Sequence, residues 1–175
     1  VENECKEVLL VLDQLVPGSI KVKTINFRKN KGAQVFEYNL DEESNAEVLL
    51  ATKIDKYLYE PNTAIMKSGA FKLIGKRFGL RKLHINSHLY TSNELFPEFP
   101  GRVFEVIYEW GNSKKELQEL GKKVPKANIT TRNYPMSVEE LRKKLKIKDG
   151  GDVYLFACTL CNDQKMILET KKHAI

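Results

Sequence analysis

The spacing of apolar residues at the start of the chain predicts a short helix followed by a hairpin. Residues 5–16 place apolar side chains on one face of a helix, at Val8, Leu9, Leu12 and Leu15. Pro17-Gly18 ends that segment. Two alternating runs follow, residues 20–27 and residues 33–39, with a Lys31-Gly32 turn between them. Such a pair of runs is typical of a β-hairpin.

The middle of the chain is predicted to hold one longer helix. After a polar connector at residues 41–45, residues 47–59 suit either a helix or a buried strand. Pro61 fits the first position of a helix, and Gly79 fits a left-handed residue that closes it. Residues 83–90 are expected to be extended. Residues 96–101, with two prolines and a glycine, are expected to form a linker.

The last part of the chain predicts the order strand, helix, strand, helix, strand, strand. Both helices begin with a capping box, Ser113 to Glu116 and Ser137 to Glu140. Residues 127–133 are expected to form a polar strand at or near a sheet edge, and residues 149–152 a turn. A hairpin is predicted around Asn162-Asp163. The whole pattern predicts an α+β fold, with the last part a small sandwich of helices over one face of a sheet.

Composition excludes some classes of protein. The 175 residues are 42% hydrophobic and 30% charged, and no apolar run reaches the length of a membrane span. Three cysteines do not make a disulfide framework, which favours a cytoplasmic location. The first residues are acidic, unlike a signal peptide, and Val1 is not an initiator methionine, so we expect Val1 not to be the natural start.

The net charge of +6 is unevenly distributed along the chain. Residues 61–93 contain six Lys and Arg and no acid, and residues 110–148 contain eleven bases against four acids. Two basic blocks on an otherwise balanced chain indicate a surface that faces a polyanion, although lysines also commonly just solvate helix faces. The basic candidates for nucleic-acid contact are Lys67, Lys72, Lys76, Arg77, Arg132, Arg142, Lys143 and Lys146, with Tyr134 as a ring for base stacking.

Three further motifs have structural alternatives. Cys158 and Cys161 are spaced as a metal or redox pair, but a zinc site needs four ligands and a redox pair needs a following helix. We therefore predict packed thiols. His84 and His88 are expected to be packed or solvated, because their segment is extended. Glu60 is expected to cap the helix that starts at Pro61, with a substrate contact as the alternative.

Several stretches resemble the C-terminal region of a bacterial family of class I S-adenosylmethionine-dependent methyltransferases. In the middle these are residues 57–62 (YLYEPN, with Glu60, Pro61 and Asn62), 64–70 (AIMKSGA) and 88–92 (HLYTS). In the last part they are residues 128–129 (NI), 132–135 (RNYP), 140–145 (ELRKKL) and 150–152 (GGD). The resemblance implies the end of a methyltransferase core at residues 1–40, a ferredoxin-like segment at 41–95 and a THUMP-like domain at 101–175.

The resemblance also implies a function. Residues 1–40 would be the last core helix and the closing hairpin of the methyltransferase sheet, and S-adenosylmethionine would be bound by a catalytic domain upstream. The chain has no G-x-G sequence for a cofactor turn, so we expect it to be inactive alone and to bind no cofactor or metal. The expected role is substrate recognition with RNA as partner. The alternatives are a docking module without nucleic acid, and an enzyme in its own right.

Overall fold

The computed structural model describes residue 11 and residues 18–29 and 32–173. The helix predicted for residues 5–16 lies outside these residues, apart from Val11. The strands are β1 (Lys21–Arg28), β2 (Gly32–Asn39), β3 (Tyr57–Pro61), β4 (Arg81–His84), β5 (Ser87–Ser92), β6 (Gly101–Trp110), β7 (Lys126–Arg132), β8 (Lys148–Thr159) and β9 (Lys165–Lys172). The helices are α1 (Leu40–Ser44), α2 (Thr63–Ser68), α3 (Leu73–Arg77), α4 (Lys114–Lys123) and α5 (Val138–Leu145).

The first two strands form the predicted hairpin. They pair antiparallel from Lys21 opposite Asn39 to Arg28 opposite Gly32. One face of this two-stranded sheet packs on α2 and α3 through Phe36 and Tyr38, and the Tyr38 hydroxyl donates to the Ser68 carbonyl at 2.6 Å. The other face is open to solvent and carries Ile25, Phe27 and Val35, which are 43%, 56% and 51% exposed.

The prediction of a single helix from Pro61 to Gly79 is wrong. Pro61 is the last residue of β3, opposite Gly101, where a missing N–H costs no ladder bond at the strand end. Asn62 is the N-cap of α2, and Gly69 at φ 84° ends it in the left-handed region. The helical stripe then continues in α3. Gly79, at φ 60°, follows the C-cap of α3, as the sequence predicts.

Seven strands form one continuous sheet in the order β4-β5-β3-β6-β9-β8-β7. All neighbours are antiparallel except β7 and β8. The predicted order of the last six elements is confirmed, as are the position of β7 at the edge and the hairpin around Asn162-Asp163. The fold is α+β. α4 and α5 cover one face of the last part of the sheet through a core that includes Leu117, Leu120 and Leu141.

The linker predicted at residues 96–101 is a packed connection. Phe99 is 1% exposed, its ring contacts Tyr59 and Phe78, and Gly101 already belongs to β6. An added Cβ at Gly101 would lie 2.2 Å from the Glu60 carbonyl oxygen. Glycine is therefore required there by the close approach of β3 and β6, and the sheet crosses this point without interruption.

The large sheet curls until its two edges approach each other. Glu60 of β3 contacts Arg132 of β7 at 2.8 Å, although three strands separate β3 from β7 in the sheet. Neighbouring strands lie about 4.8 Å apart, so a flat sheet would hold these residues nearly 20 Å apart. His84 at the end of β4 likewise meets Asn133 next to β7, with 3.0 Å between their side-chain nitrogens. The inner face encloses a core that includes Leu58, Leu83, Leu89, Phe104, Phe156 and Leu168.

The turn predicted at residues 149–152 is a bulge inside β8. The pairing of β7 with β8 jumps from Asp149 to Tyr154, opposite Ala127 and Asn128. Gly150 and Gly151, at φ 93° and 86°, make this bulge, and the Asn128 side chain donates to the Gly151 carbonyl at 2.7 Å. The glycines therefore bend a strand and do not end it. In the part of the chain with assigned structure, no helix is long and apolar enough to cross a membrane.

Candidate nucleic-acid interface

One end of the last part of the molecule gathers lysines from two strands. Lys126 begins β7 and Lys148 begins β8, and the two residues are direct partners in the parallel ladder. The Lys148 N–H also donates to the Pro125 carbonyl at 3.0 Å. Both side chains are exposed. The two like charges on these paired strand positions repel each other.

The C-terminal ends of both long helices lie at the same place. An added Cβ at Gly121 of α4 would lie 2.3 Å from the Leu145 carbonyl oxygen of α5, so the helices touch where they end. Four exposed lysines surround this contact. Together with the strand pair they form what we call the basic end: Lys122, Lys126, Lys143, Lys144, Lys146 and Lys148.

The basic end is compensated only in part: among the described residues, Lys143 is close enough to Glu140 to help lower the pKa of that carboxyl, after the hydrogen bonds from Ser137. None of its six lysines forms an ion pair with any residue that the structure describes. Lysines at helix C-termini interact favourably with the helix dipole, which accounts for part of the cluster. That reason does not apply to Lys126 and Lys148, which lie on strands. Such an array can bind phosphates through point charges.

Two predicted residues of the last part of the chain are already engaged. Arg142 donates to Asp149 at 2.7 Å and to the Ala127 carbonyl at 3.4 Å, so its charge is compensated. Tyr134 donates its hydroxyl proton to Asn112 at 2.6 Å and packs against the core under α4 and α5. Burial raises the pKa of Tyr134. The half-buried ring is not a free platform for stacking in this conformation.

Of the four basic residues predicted in the middle part, two are engaged in contacts within the protein and two are exposed. The Lys72 amine donates to the Ser44 carbonyl at 2.8 Å, and Arg77 pairs with Glu42 at 3.3 Å and lies over the Phe36 ring. These two side chains therefore attach α3 to α1 and the hairpin. Lys67 and Lys76 are exposed, but Lys76 borders the same shallow hollow as the acids Asp41 and Glu42.

Glu60 does not cap α2, contrary to the sequence prediction. Asn62 does so, with its side-chain oxygen accepting from the Ile65 N–H at 3.1 Å. Glu60 is 5% exposed and its carboxylate accepts hydrogen bonds from Arg102 and Arg132. Arg102 is not among the predicted candidates. The contact between Arg102 and Glu60 follows from the register of β3 and β6, which places the two residues opposite each other. The sequence alone does not fix that register, so it could not indicate Arg102.

Cys158, Cys161 and His88 are packed. Cys158 is fully buried in β8, burial raises its pKa to about 12, and the Cys161 thiol donates to the Ala51 carbonyl at 3.1 Å. His88 stacks on Phe71 with 3.8 Å between ring centroids. Within residues 18–29 and 32–173, no three His, Cys, Asp or Glu side chains are grouped to hold a metal ion.

Comparison with known proteins shows what the chain is related to. A family described as a ferredoxin-like domain matches residues 57–100, and a family described as THUMP domain-like matches residues 101–172. No curated protein matches the chain.

The fold also matches a crystal structure of a putative methyltransferase from Porphyromonas gingivalis W83 at 40% identity and a TM-score of 0.83. The match covers 88% of this chain and 38% of that protein, so the chain spans well under half the length of this relative. Residues 57–172 therefore combine a ferredoxin-like domain with a THUMP-like domain, and most of the chain shares its fold with part of that putative methyltransferase.

Proposed function

We propose that this chain is the RNA-binding, substrate-recognition region of an S-adenosylmethionine-dependent methyltransferase. The basic end carries the proposal, because six exposed lysines converge there and form no ion pair with any residue of the described ranges. The THUMP domain-like match of residues 101–172 supports RNA as the polyanion. In this proposal the methyl donor is bound by a catalytic domain outside this chain, and the chain itself holds the substrate.

The basic end predicts how binding responds to salt. Each lysine that neutralises a phosphate releases counterions, so the affinity falls linearly with salt on a double-logarithmic plot. Exposed lysines without fixed acceptors contact phosphates and do not read bases, so the sequence of the RNA should matter little.

The test is a salt titration of binding to a fluorescently labelled RNA, followed by anisotropy. We expect the variant K143E/K146E to lower the affinity about tenfold or more at 0.1 M salt and to reduce the salt slope by about one to two units. The matched control is K67E/K76E, which reverses two exposed lysines of the middle part and should have a much smaller effect. No binding at low salt, or binding that K143E/K146E leaves unchanged, would contradict the proposal.

A docking function is supported by a separate observation, the open face of the hairpin. Ile25 lies directly opposite Val35, and Phe27 opposite Ala33, on a face that no described residue covers. We propose that this face packs against the catalytic domain, as the closing hairpin of its sheet. If RNA fails to bind at any salt concentration, docking becomes the primary role of the chain.

A further inference from the structure

A buried carboxylate holds two arginines at the end of β7 away from the basic end. The Glu60 side chain is 6% exposed. One of its oxygens accepts from Arg102, through Nε at 2.9 Å and through Nη2, and the other accepts from Arg132 Nη2 at 2.8 Å. The three residues come from β3, β6 and β7, and we call Arg102 and Arg132 the arginine pair.

Both arginines keep donors for a further ligand. A guanidinium has five N–H groups in a fixed plane. Arg102 uses two of its nitrogens on Glu60, and Arg132 uses one on Glu60 and one on the Thr131 carbonyl at 3.1 Å. Their side chains remain 32% and 41% exposed, so unused N–H groups can reach solvent.

The second arginine exceeds what the buried acid requires. Asp55, whose side chain is 2% exposed, pairs with a single arginine among the described residues, Arg81, and that pair has no net charge. Glu60 has two guanidiniums, and among the described residues neither pairs with another carboxylate, so the triad carries a net charge of +1. Arg132 and Lys82 both act on His88: after burial, their positive charges lower the pKa of His88 to about 4.

We propose that the arginine pair binds one phosphate group, with Glu60 as the positioning residue that holds both guanidiniums. Arginine forks match the geometry of phosphate oxygens and bind them in a bidentate manner. This inference rests on the proposed function for its ligand, a phosphate of RNA, either within the backbone or at an end. Arg132 lies six residues along β7 from Lys126, about 20 Å from the basic end, so the two sites can be tested separately.

The direct test is a titration of the chain with inorganic phosphate at constant ionic strength, followed by the NMR signals of the arginine Nε–Hε groups. We expect saturable shifts at Arg102 and Arg132, with a Kd on the order of 1 mM, and no shift at Arg81. Chloride at the same ionic strength should give no shift. Signals of the arginine pair that do not move with phosphate would overturn the proposal.

Two substitutions separate binding from folding. R132Q leaves Glu60 paired with Arg102, so the chain should stay folded while the phosphate response at Arg102 is lost. R142Q is the control: it removes an arginine whose ion-pair partner, Asp149, is largely exposed, so no buried acid is left unpaired, and it should leave the phosphate response intact. A response at Arg102 that survives R132Q, in a chain that thermal unfolding shows to be folded, would show that Arg132 does not share the phosphate and would overturn the proposal of a joint site.

RNA then identifies the source of the phosphate. Displacement of inorganic phosphate by an unphosphorylated oligoribonucleotide supports a backbone phosphate, and displacement only by a 5′-phosphorylated one supports a terminal phosphate. RNA that binds at the basic end without changing the arginine signals overturns the inference and leaves the proposed function in place. Phosphate binding at the arginine pair without any RNA binding leaves the phosphate site in place and overturns the proposed function.

Discussion

At the scale of single residues, burial determines the chemistry of the titratable groups. His88 is stacked on Phe71, and its Nδ1 atom is buried without a hydrogen-bond partner. Burial, followed by the positive charges of Lys82 and Arg132, lowers the pKa of His88 to about 4. The same physical cause raises the pKa of the Cys158 thiol, which agrees with its predicted structural role.

His88 should make the protein less stable in mild acid. Its pKa is lower in the folded state than the ordinary 6.5, so between pH 6.5 and pH 4 the unfolded chain binds more protons. The stability is therefore complete above pH 6.5 and is lost as the pH falls. We expect the wild type to lose about 1 kcal/mol more than H88F between pH 7 and pH 5, an amount reduced for partial exposure of the ring.

Urea unfolding at the two pH values measures this difference. H88F keeps an aromatic ring on Phe71 and removes only the titrating group, so the other histidines cancel in the comparison. Equal losses for the wild type and H88F would show that folding does not lower the pKa of His88.

At the scale of elements, close backbone approaches decide which residues fit. Gly121 lies inside α4, where alanine is ordinarily better by about 1 kcal/mol. Its missing Cβ is what lets α4 touch the Leu145 carbonyl of α5. The helices could not meet this closely with any larger residue, and their contact also brings the lysines of the basic end together.

We predict that G121A destabilises the protein by roughly 1–3 kcal/mol, because overpacking against a backbone atom exceeds the gain in helix propensity. The measurement is chemical denaturation. The control is Q118A on the exposed side of α4, which should change the stability by less than about 0.5 kcal/mol. A G121A variant more stable than the wild type would mean that the two helices do not touch at this position.

At the scale of the whole molecule, the two matched domains share one sheet and one core. The inner core combines Leu58, Leu83 and Leu89 from the first domain with Phe104, Phe156 and Leu168 from the second. The sheet also passes directly from β3 to β6 across the boundary between them. We therefore expect residues 57–172 to unfold in a single step.

The substitution L58A tests this expectation. Leu58 is fully buried in the first domain, and Trp110, the one tryptophan of the sequence, lies in the second. L58A should lower the free energy of unfolding by about 2–5 kcal/mol when unfolding is followed by Trp110 fluorescence. K67A, at an exposed site of the first domain, should leave that transition in place. A transition unchanged by L58A would show that the two domains unfold independently.

The sequence determined the features that depend on neighbouring residues. The alternation of apolar and polar residues predicted the first hairpin, and the two capping serines located the starts of α4 and α5. The polar character of residues 127–133 predicted that β7 lies at the edge of the sheet. These signals are local, because caps and strand periodicity act over a few residues. The same signals misplaced the helix after Pro61, because the pairing of Pro61 with Gly101, 40 residues away, outweighed the local preference.

Only the tertiary structure decided which charges are free and which are used. Arg77, Arg142 and Arg132 look alike in the sequence, yet one attaches α3 to α1, one is paired with Asp149, and one shares a buried glutamate with Arg102. The basic end likewise depends on the contact of two helix ends and the alignment of two strands. The physical reason is that charge follows from composition, whereas its compensation depends on contacts between residues far apart in the chain, which the curl of the sheet creates.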